Sequence, residues 1–174
     1  MINIVLLSHQ ILKSHPNPRI ALDMTCGHGY DTLFLSSIAE HVYAFDIQDE
    51  AINDTKRLLV EHQITNVNLF KESHDLFDIF VSQNIDLAIY NLGYLPSGNR
   101  DIKTSAPIVI NSLNKALERL NKNGIVVIVI YLHDMLESEA IMKYASNLGP
   151  EFDSIRHDIL NKEKSPYIIE IRKI

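Results

Sequence analysis

A glycine-containing turn and one acidic residue beyond it are the first residues in this chain whose types and spacing could do chemistry. The turn, Asp23-Met24-Thr25-Cys26-Gly27-His28-Gly29, directly follows an apolar run. Glycines after a parallel strand permit a tight turn and let a ligand approach the backbone closely. Asp46 ends the next apolar run, at about the spacing at which an acid accepts hydrogen bonds from ribose hydroxyls. Together, the turn and Asp46 predict a site for an adenosine-containing cofactor.

The same turn distinguishes between two classes of cofactor. Dinucleotide-binding proteins carry a third glycine where this chain has Thr32. S-adenosyl-L-methionine has no pyrophosphate to bind at a helix N-terminus, and its amino group favours a nearby acid, which Asp23 supplies. The sequence therefore predicts S-adenosyl-L-methionine as the cofactor and leaves a dehydrogenase as the minor alternative.

Further polar residues follow the second and third apolar runs. Ser73 and His74 lie where they could contact adenine, although Ser73 could equally begin a helix as its N-cap. The predicted cofactor-binding residues are Asp23, Thr25, Gly27, Gly29, Asp31, Thr32, Asp46, Ile47, Gln48, Ser73, His74 and Asn91.

A second candidate site follows the fourth apolar run, in Asn91-Leu92-Gly93-Tyr94-Leu95-Pro96. It is similar to the Asn-Pro-Pro-Tyr motif of amino-directed methyltransferases, in which the Asn side chain and a following carbonyl hold an amine and the aromatic ring stacks on the base. Methyl transfer from a sulfonium needs a neutral nucleophile, and the amide of Asn91 and the carbonyl of Leu92 can hold an amine without strongly favouring its charged form. The alternative is an ordinary strand exit, in which Asn91 completes a turn and Tyr94 packs in the core.

Alternating segments of strand and helix length must position these residues. The apolar runs predict seven strands, at Ile20–Met24, Val42–Ile47, Val67–Phe70, Ile85–Tyr90, Ile125–Tyr131, Phe152–Ile159 and Tyr167–Ile171. Helical spacing predicts helices at Ser8–His15, Thr32–Ala39, Glu50–His62, Asp75–Gln83, Pro107–Leu120 and Glu137–Leu148. The alternation predicts a parallel sheet, and the short segment Leu160–Pro166 predicts a closing antiparallel hairpin. The expected fold class is α/β: a Rossmann-like, seven-stranded, mostly parallel sheet of the class I methyltransferase type.

The composition indicates an ordinary globular chain. Its 174 residues are 46% hydrophobic, without repeats or linkers, so residues 1–174 are expected to form one domain. A single cysteine and eight histidines without zinc-ligand spacing predict no disulfide and no metal. The chain shows neither a secretion signal nor an apolar run long enough for a membrane span, which predicts a cytoplasmic protein. The net charge of -6 argues against a general affinity for nucleic acid and allows only a local basic patch.

Four segments resemble a small bacterial family once labelled "putative rRNA methylases". They run from Asp23 to Leu35, from Tyr43 to Gln48, from Ser73 to Asp75 and from Asn91 to Pro96. Members of that family are tRNA 5-(aminomethyl)uridine-34 methyltransferases. The resemblance implies an enzyme that uses S-adenosyl-L-methionine to methylate the aminomethyl group of 5-aminomethyl-(2-thio)uridine at the wobble position, with the tRNA anticodon stem-loop as its partner. Methylation of rRNA or of a small-molecule amine, and cofactor binding without catalysis, are the alternatives; a homodimer is left open.

The resemblance also implies roles for individual residues. The predicted catalytic residues are Asn91, Leu92, Tyr94 and His133. Tyr94 could stack on the uridine ring, and His133 could relay a proton or be an ordinary surface histidine. The family shows Tyr-His-Gly-His where this chain has Tyr131-Leu132-His133-Asp134, which leaves the role of His133 open. The predicted RNA contacts are Tyr94, Arg100, Lys103, Lys162 and Lys164, although solvated loops contain the same residue types.

Overall fold

A computed structural model describes residues 3–93, 105–132, 135–162 and 165–174 of the chain. Within these ranges, helices and strands alternate up to the sixth strand, and a seventh strand follows. The strands are β1 (Ile20–Asp23), β2 (His41–Asp46), β3 (Val67–Lys71), β4 (Ile85–Leu92), β5 (Leu120–Ile130), β6 (Phe152–His157) and β7 (Tyr167–Lys173). The α-helices are α1 (Ile4–Lys13), α2 (Tyr30–Ser36), α3 (Asp49–Glu61), α4 (Phe77–Phe80), α5 (Ala106–Glu118) and α6 (Met135–Ser146), and a 3-10 turn at His74–Leu76 precedes α4.

The strands form one sheet in the order β3-β2-β1-β4-β5-β7-β6. β1 to β5 pair in parallel, whereas β7 runs antiparallel to both β5 and β6. The predicted α/β class and the closing antiparallel hairpin are therefore confirmed. The order reverses direction between β1 and β4, and ligands of open α/β sheets bind outside the carboxyl ends of the strands at this switch point.

β5 is the centre of the core because both of its faces are covered. Residues Ile125–Ile130 are almost fully buried, and alternate side chains point to opposite faces of the sheet. Val126 and Ile128 pack in one apolar cluster with residues of α5 and α6. Val127 and Val129 pack in the other, which includes Ile11 and Leu12 of α1 and Leu35 of α2. The helices α1 and α2 consequently cover the same face of the sheet.

Several predicted boundaries are wrong, and three of the differences have a clear physical reason. α1 begins at Ile4 instead of Ser8, where the side chain of Asn3 accepts a hydrogen bond from the Val5 amide and caps the helix. The helix predicted at Asp75–Gln83 is replaced by the 3-10 turn and the four-residue α4, because Val81 takes an extended conformation and buries its side chain. Leu120, predicted to end a helix, instead begins β5, where it pairs with Ile85 across an irregularity in the register.

The helices of the described ranges are at most 13 residues long. None of them combines the length and the apolarity that crossing a bilayer requires.

Candidate active site

The glycine turn, residues 24–29, connects β1 to α2. It is built on two glycines with left-handed backbone conformations. Gly27 has φ of 51° and Gly29 has φ of 85°, values that L side chains rarely adopt. A Cβ atom on Gly29 would also lie 2.9 Å from the Cα of Thr55 on α3, so the close approach of α3 requires glycine there. The Thr55 hydroxyl donates to the Gly27 carbonyl over 3.1 Å. The backbone of the turn is therefore fixed by α3 at the carboxyl edge of the sheet.

Asp46 connects this turn to the end of β2. One carboxylate oxygen accepts from the Gly27 amide at 3.1 Å, and the other accepts from the Gln48 amide at 3.0 Å. Burial raises the pKa of Asp46 above its usual value, against the lowering effect of these backbone hydrogen bonds. Ile47 is exposed beside it, and Gln48 precedes the first residue of α3. Because each carboxylate oxygen can accept a second hydrogen bond, Asp46 can still accept hydrogen bonds from the hydroxyls of a ribose.

Asp23, the predicted partner of the cofactor amino group, lies beneath the turn and is fully buried. Its carboxyl oxygens accept hydrogen bonds from the Thr25 amide at 3.2 Å and from the Thr32 hydroxyl at 2.5 Å. Burial, assisted by the negative charge of Asp31, raises the pKa of Asp23 to about 8. In this arrangement both carboxyl oxygens of Asp23 accept hydrogen bonds from the turn and from α2.

Asn91 lies next to the glycine turn because the ends of β1 and β4 are adjacent. The Thr25 hydroxyl accepts from the Asn91 amide at 2.8 Å and lies 3.3 Å from the Asn91 carbonyl oxygen. The side-chain NH₂ of Asn91 donates to Asp31 at 2.9 Å. Leu92, the last residue of β4, is buried. The structure thus brings the two predicted sites together at the switch point of the sheet.

His9 of α1 is a residue of this site that the sequence analysis missed. Its Nε2 atom lies 2.6 Å from Asp31, on the carboxylate oxygen that Asn91 does not use. The imidazole stacks on Phe34 of α2 with ring centroids 3.9 Å apart and nearly parallel planes. No motif includes His9, and only the packing of α1 beside α2 brings it to Asp31.

Ser73 and His74 lie after β3, as predicted, but the environments of their side chains differ. The Ser73 hydroxyl donates to Asp75 at 2.5 Å and does not cap the following turn. His74 is buried, its ring lies edge-on to Tyr90, and burial lowers its pKa to about 4. Neither ring nitrogen has a hydrogen-bond partner among the described residues. His74 is therefore neutral near pH 7.

One of the remaining predicted residues, Lys162, lies within the described ranges. Lys162 is exposed in the connection between β6 and β7. The other residues of this set lie outside the described ranges: Tyr94, Arg100, Lys103, His133 and Lys164.

In the described ranges, no group of three or more His, Cys, Asp or Glu side chains could hold a metal ion. Cys26 is buried and burial raises the pKa of its thiol, which suits a packing role.

The charges around the turn are suited to a cationic ligand. Asp23, Asp31 and Asp46 lie close enough that the charges of Asp31 and Asp46 both raise the pKa of Asp23. A cation bound beside the turn would interact favourably with the charges of Asp31 and Asp46. The Asn91 amide adds a neutral acceptor to the same edge.

Comparisons with known sequences give matches over most of the chain. The family model described as "Putative rRNA methylase" matches residues 42–173. A curated relative from Arabidopsis thaliana, "tRNA (mnm(5)s(2)U34)-methyltransferase, chloroplastic", is 31% identical over 167 residues. The match covers 85% of this chain but spans only 61% of the length of that relative.

Solved structures match over the whole chain. A "putative methyltransferase" from Streptococcus mutans, solved in complex with SAH, is 33% identical with a TM-score of 0.95. A "putative rRNA-methylase" from Clostridium thermocellum is 32% identical with a TM-score of 0.94. Each match covers 100% of this chain and 99% of the other. These matches confirm the class I methyltransferase fold.

The raised pKa of Asp23 predicts how stability depends on pH. Because the folded-state pKa of about 8 exceeds the unfolded value of 3.8, the contribution of Asp23 to stability is fully present below pH 3.8 and is lost as pH rises to about 8. Asp23→Asn, which does not titrate, should therefore become progressively more stable relative to the parent across that interval. Urea denaturation at several pH values measures the difference. Asp153→Asn on β6, an exposed control, should follow the parent, and a constant difference between Asp23→Asn and the parent would contradict the prediction.

Proposed function

Since the chain belongs to the family described as "Putative rRNA methylase", we propose that it methylates the aminomethyl nitrogen of 5-aminomethyl-(2-thio)uridine at tRNA position 34. The product would be 5-methylaminomethyluridine. The observation that carries the proposal is the position of Asn91, whose amide lies at the switch point beside the glycine turn. The name of the Arabidopsis thaliana relative, which specifies U34 of tRNA, supports the choice of substrate.

The cofactor is S-adenosyl-L-methionine, as the sequence predicts. SAH, bound in the Streptococcus mutans relative, is its demethylated form. In the proposed arrangement, the Asp46 carboxylate accepts from the ribose hydroxyls, while Ile47, Ser73 and His74 adjoin the adenine. The glycine turn lies against the rest of the cofactor, and the acids around the turn favour the positive charges of the sulfonium and the amino group.

The proposed role of Asn91 follows from the chemistry of an amine. An alkylammonium has no lone pair, so the substrate must lose one proton before it can attack. The Asn91 side-chain oxygen and the Leu92 carbonyl would each accept an N–H of the neutral amine and direct its lone pair at the methyl group. The nitrogen then forms the new bond to carbon, and the electron pair of the broken carbon–sulfur bond stays on sulfur. Acceptors without charge suit this task because a carboxylate would favour the ammonium.

Recognition of the RNA is proposed for the aromatic and basic residues that the sequence predicts as RNA contacts. Tyr94 is proposed to stack on the uridine ring, and Arg100, Lys103, Lys162 and Lys164 to contact phosphates. His133 is proposed as the proton relay. The second candidate function is methylation of rRNA, which the description of the family favours.

The cofactor proposal predicts that the protein binds S-adenosyl-L-methionine and SAH but not NAD. Asp46→Ala should weaken S-adenosyl-L-methionine binding by about 10- to 100-fold, the effect of losing hydrogen bonds to a charged group. Titration calorimetry measures each affinity, with the exposed Asp153→Ala on β6 as the matched control. Equal affinities of Asp46→Ala and the parent would remove Asp46 from the cofactor site.

The substrate proposal predicts methylation of tRNA that contains 5-aminomethyl-2-thiouridine. Purified protein and S-adenosyl-L-methionine should convert this nucleoside to the methylamino form, as nucleoside mass spectrometry would show. Purified rRNA and tRNA with unmodified uridine at position 34 serve as control substrates and should remain unchanged. Methylation of rRNA with the tRNA untouched would establish the second candidate function instead.

The proposed role of Asn91 predicts a separation of turnover from cofactor binding. Asn91→Ala should lower single-turnover methylation by about 2 to 3 orders of magnitude, as the loss of one positioning hydrogen bond in a closed site can, while S-adenosyl-L-methionine affinity stays nearly unchanged. Asn91→Asp adds a charge that favours the ammonium, so its activity should recover partly as pH rises. Rates across pH for the parent and both variants test this. Turnover by Asn91→Ala close to that of the parent would show that other residues hold the amine.

A further inference from the structure

An asparagine side chain can hold an amine only in one of its two orientations. Its oxygen and its NH₂ group are similar in size, and rotation of the amide by half a turn exchanges an acceptor for a donor. A neutral amine that attacks a methyl group must keep its lone pair free and donate its N–H bonds to acceptors. In the reverse orientation, Asn91 would present N–H groups to the amine and compete for that lone pair. The proposed function therefore requires something that fixes the orientation of Asn91.

Asp31 fixes this orientation because a carboxylate can only accept hydrogen bonds. Its Oδ2 atom lies 2.9 Å from the Asn91 side-chain nitrogen, which directs the NH₂ group at Asp31 and the amide oxygen away from it. The backbone of Asn91 is held separately by the Thr25 hydroxyl. Asp31 is 6% exposed, so solvent does not compete strongly for its oxygens.

Asp31 is in turn held by His9 of α1. The His9 Nε2 atom lies 2.6 Å from Oδ1 of Asp31, so the two oxygens of this buried carboxylate have two different N–H donors. The ring of His9 cannot rotate freely, because it stacks on Phe34 at 3.9 Å and its side chain is only 16% exposed. Two other titratable groups, Asp23 and Tyr131, lie near enough to Asp31 for its charge to raise their pKa values.

Loss of the His9 donor would weaken the arrangement at Asn91. A buried carboxylate with one donor removed would gain by turning to another donor, and this would move the oxygen that the Asn91 NH₂ group contacts. The His9 hydrogen bond thus keeps Asp31 an acceptor in the geometry that Asn91 needs.

We propose that His9 is a positioning residue for methyl transfer, which acts through Asp31 to hold the oxygen of Asn91 toward the substrate amine. The inference rests on the proposed function and adds α1 to the site. His9 does not contact the reacting atoms in this proposal. Its contribution therefore belongs to the turnover step and not to the binding of tRNA or cofactor.

Two substitutions of His9 separate its hydrogen bond from its packing. His9→Phe keeps a ring that stacks on Phe34 but removes the donor, whereas His9→Gln restores an N–H near the position of Nε2. We expect kcat of His9→Phe to fall about 10- to 100-fold, as small misplacements of reacting groups can cause, with KM for the modified tRNA and S-adenosyl-L-methionine affinity within about 2-fold. His9→Gln should recover kcat to within about 3-fold of the parent. His41→Phe, at the opposite edge of the sheet, is the matched control and should behave as the parent.

A second measurement needs no substrate. The side-chain NH₂ protons of Asn91, assigned in NMR spectra by their loss in Asn91→Ala, should exchange slowly in the parent and in His9→Gln and faster in His9→Phe. Unchanged kcat in His9→Phe, failure of His9→Gln to recover, or equal exchange in all three proteins would each overturn the inference. A parent that methylates no tRNA while its Asn91 protons respond to His9 as expected would overturn the proposed function and leave the positioning of Asn91 by His9 intact.

Discussion

β1 and β4 lie side by side in the sheet and run in the same direction, so the residues at their carboxyl ends must share one edge. The Thr25 hydroxyl makes this contact specific, because it hydrogen-bonds to the backbone of Asn91. The connections after these strands go to different faces of the sheet, since α2 packs with one apolar cluster and α5 with the other. This divergence opens the crevice in which the glycine turn and Asn91 face the same space.

Electrostatic repulsion among acids is the cost of this arrangement. Asp23, Asp31 and Asp46 surround one turn, and burial together with mutual repulsion raises the pKa of Asp23 to about 8. Each acid accepts hydrogen bonds from nearby donors, and His9 and Asn91 supply those of Asp31. Acids grouped at one turn are well matched to the positive charges of S-adenosyl-L-methionine.

Local patterns predicted most of the fold. Apolar runs identified all seven strands of the described ranges, since strand burial leaves a signal within each segment. The turn from Asp23 to Gly29 was recognisable because glycines with left-handed backbone angles are required at a close approach of two elements. The boundary of β5 was not predicted, because Leu120 joins the strand by pairing with Ile85, a contact that no local pattern contains.

The sequence by itself determined the fold class, the cofactor class and the two segments at the carboxyl edge, because each depends on residue types at short spacing. Only the tertiary structure decided which side chains face the crevice and which support it. Asp23 lies under the turn with both oxygens bonded, although its type and position equally suited contact with a ligand. His9 reaches Asp31 because the packing of α1 and α2 on one face of β5 brings together residues that are distant in the sequence, and the hydrophobic effect that drives this packing specifies no individual pair.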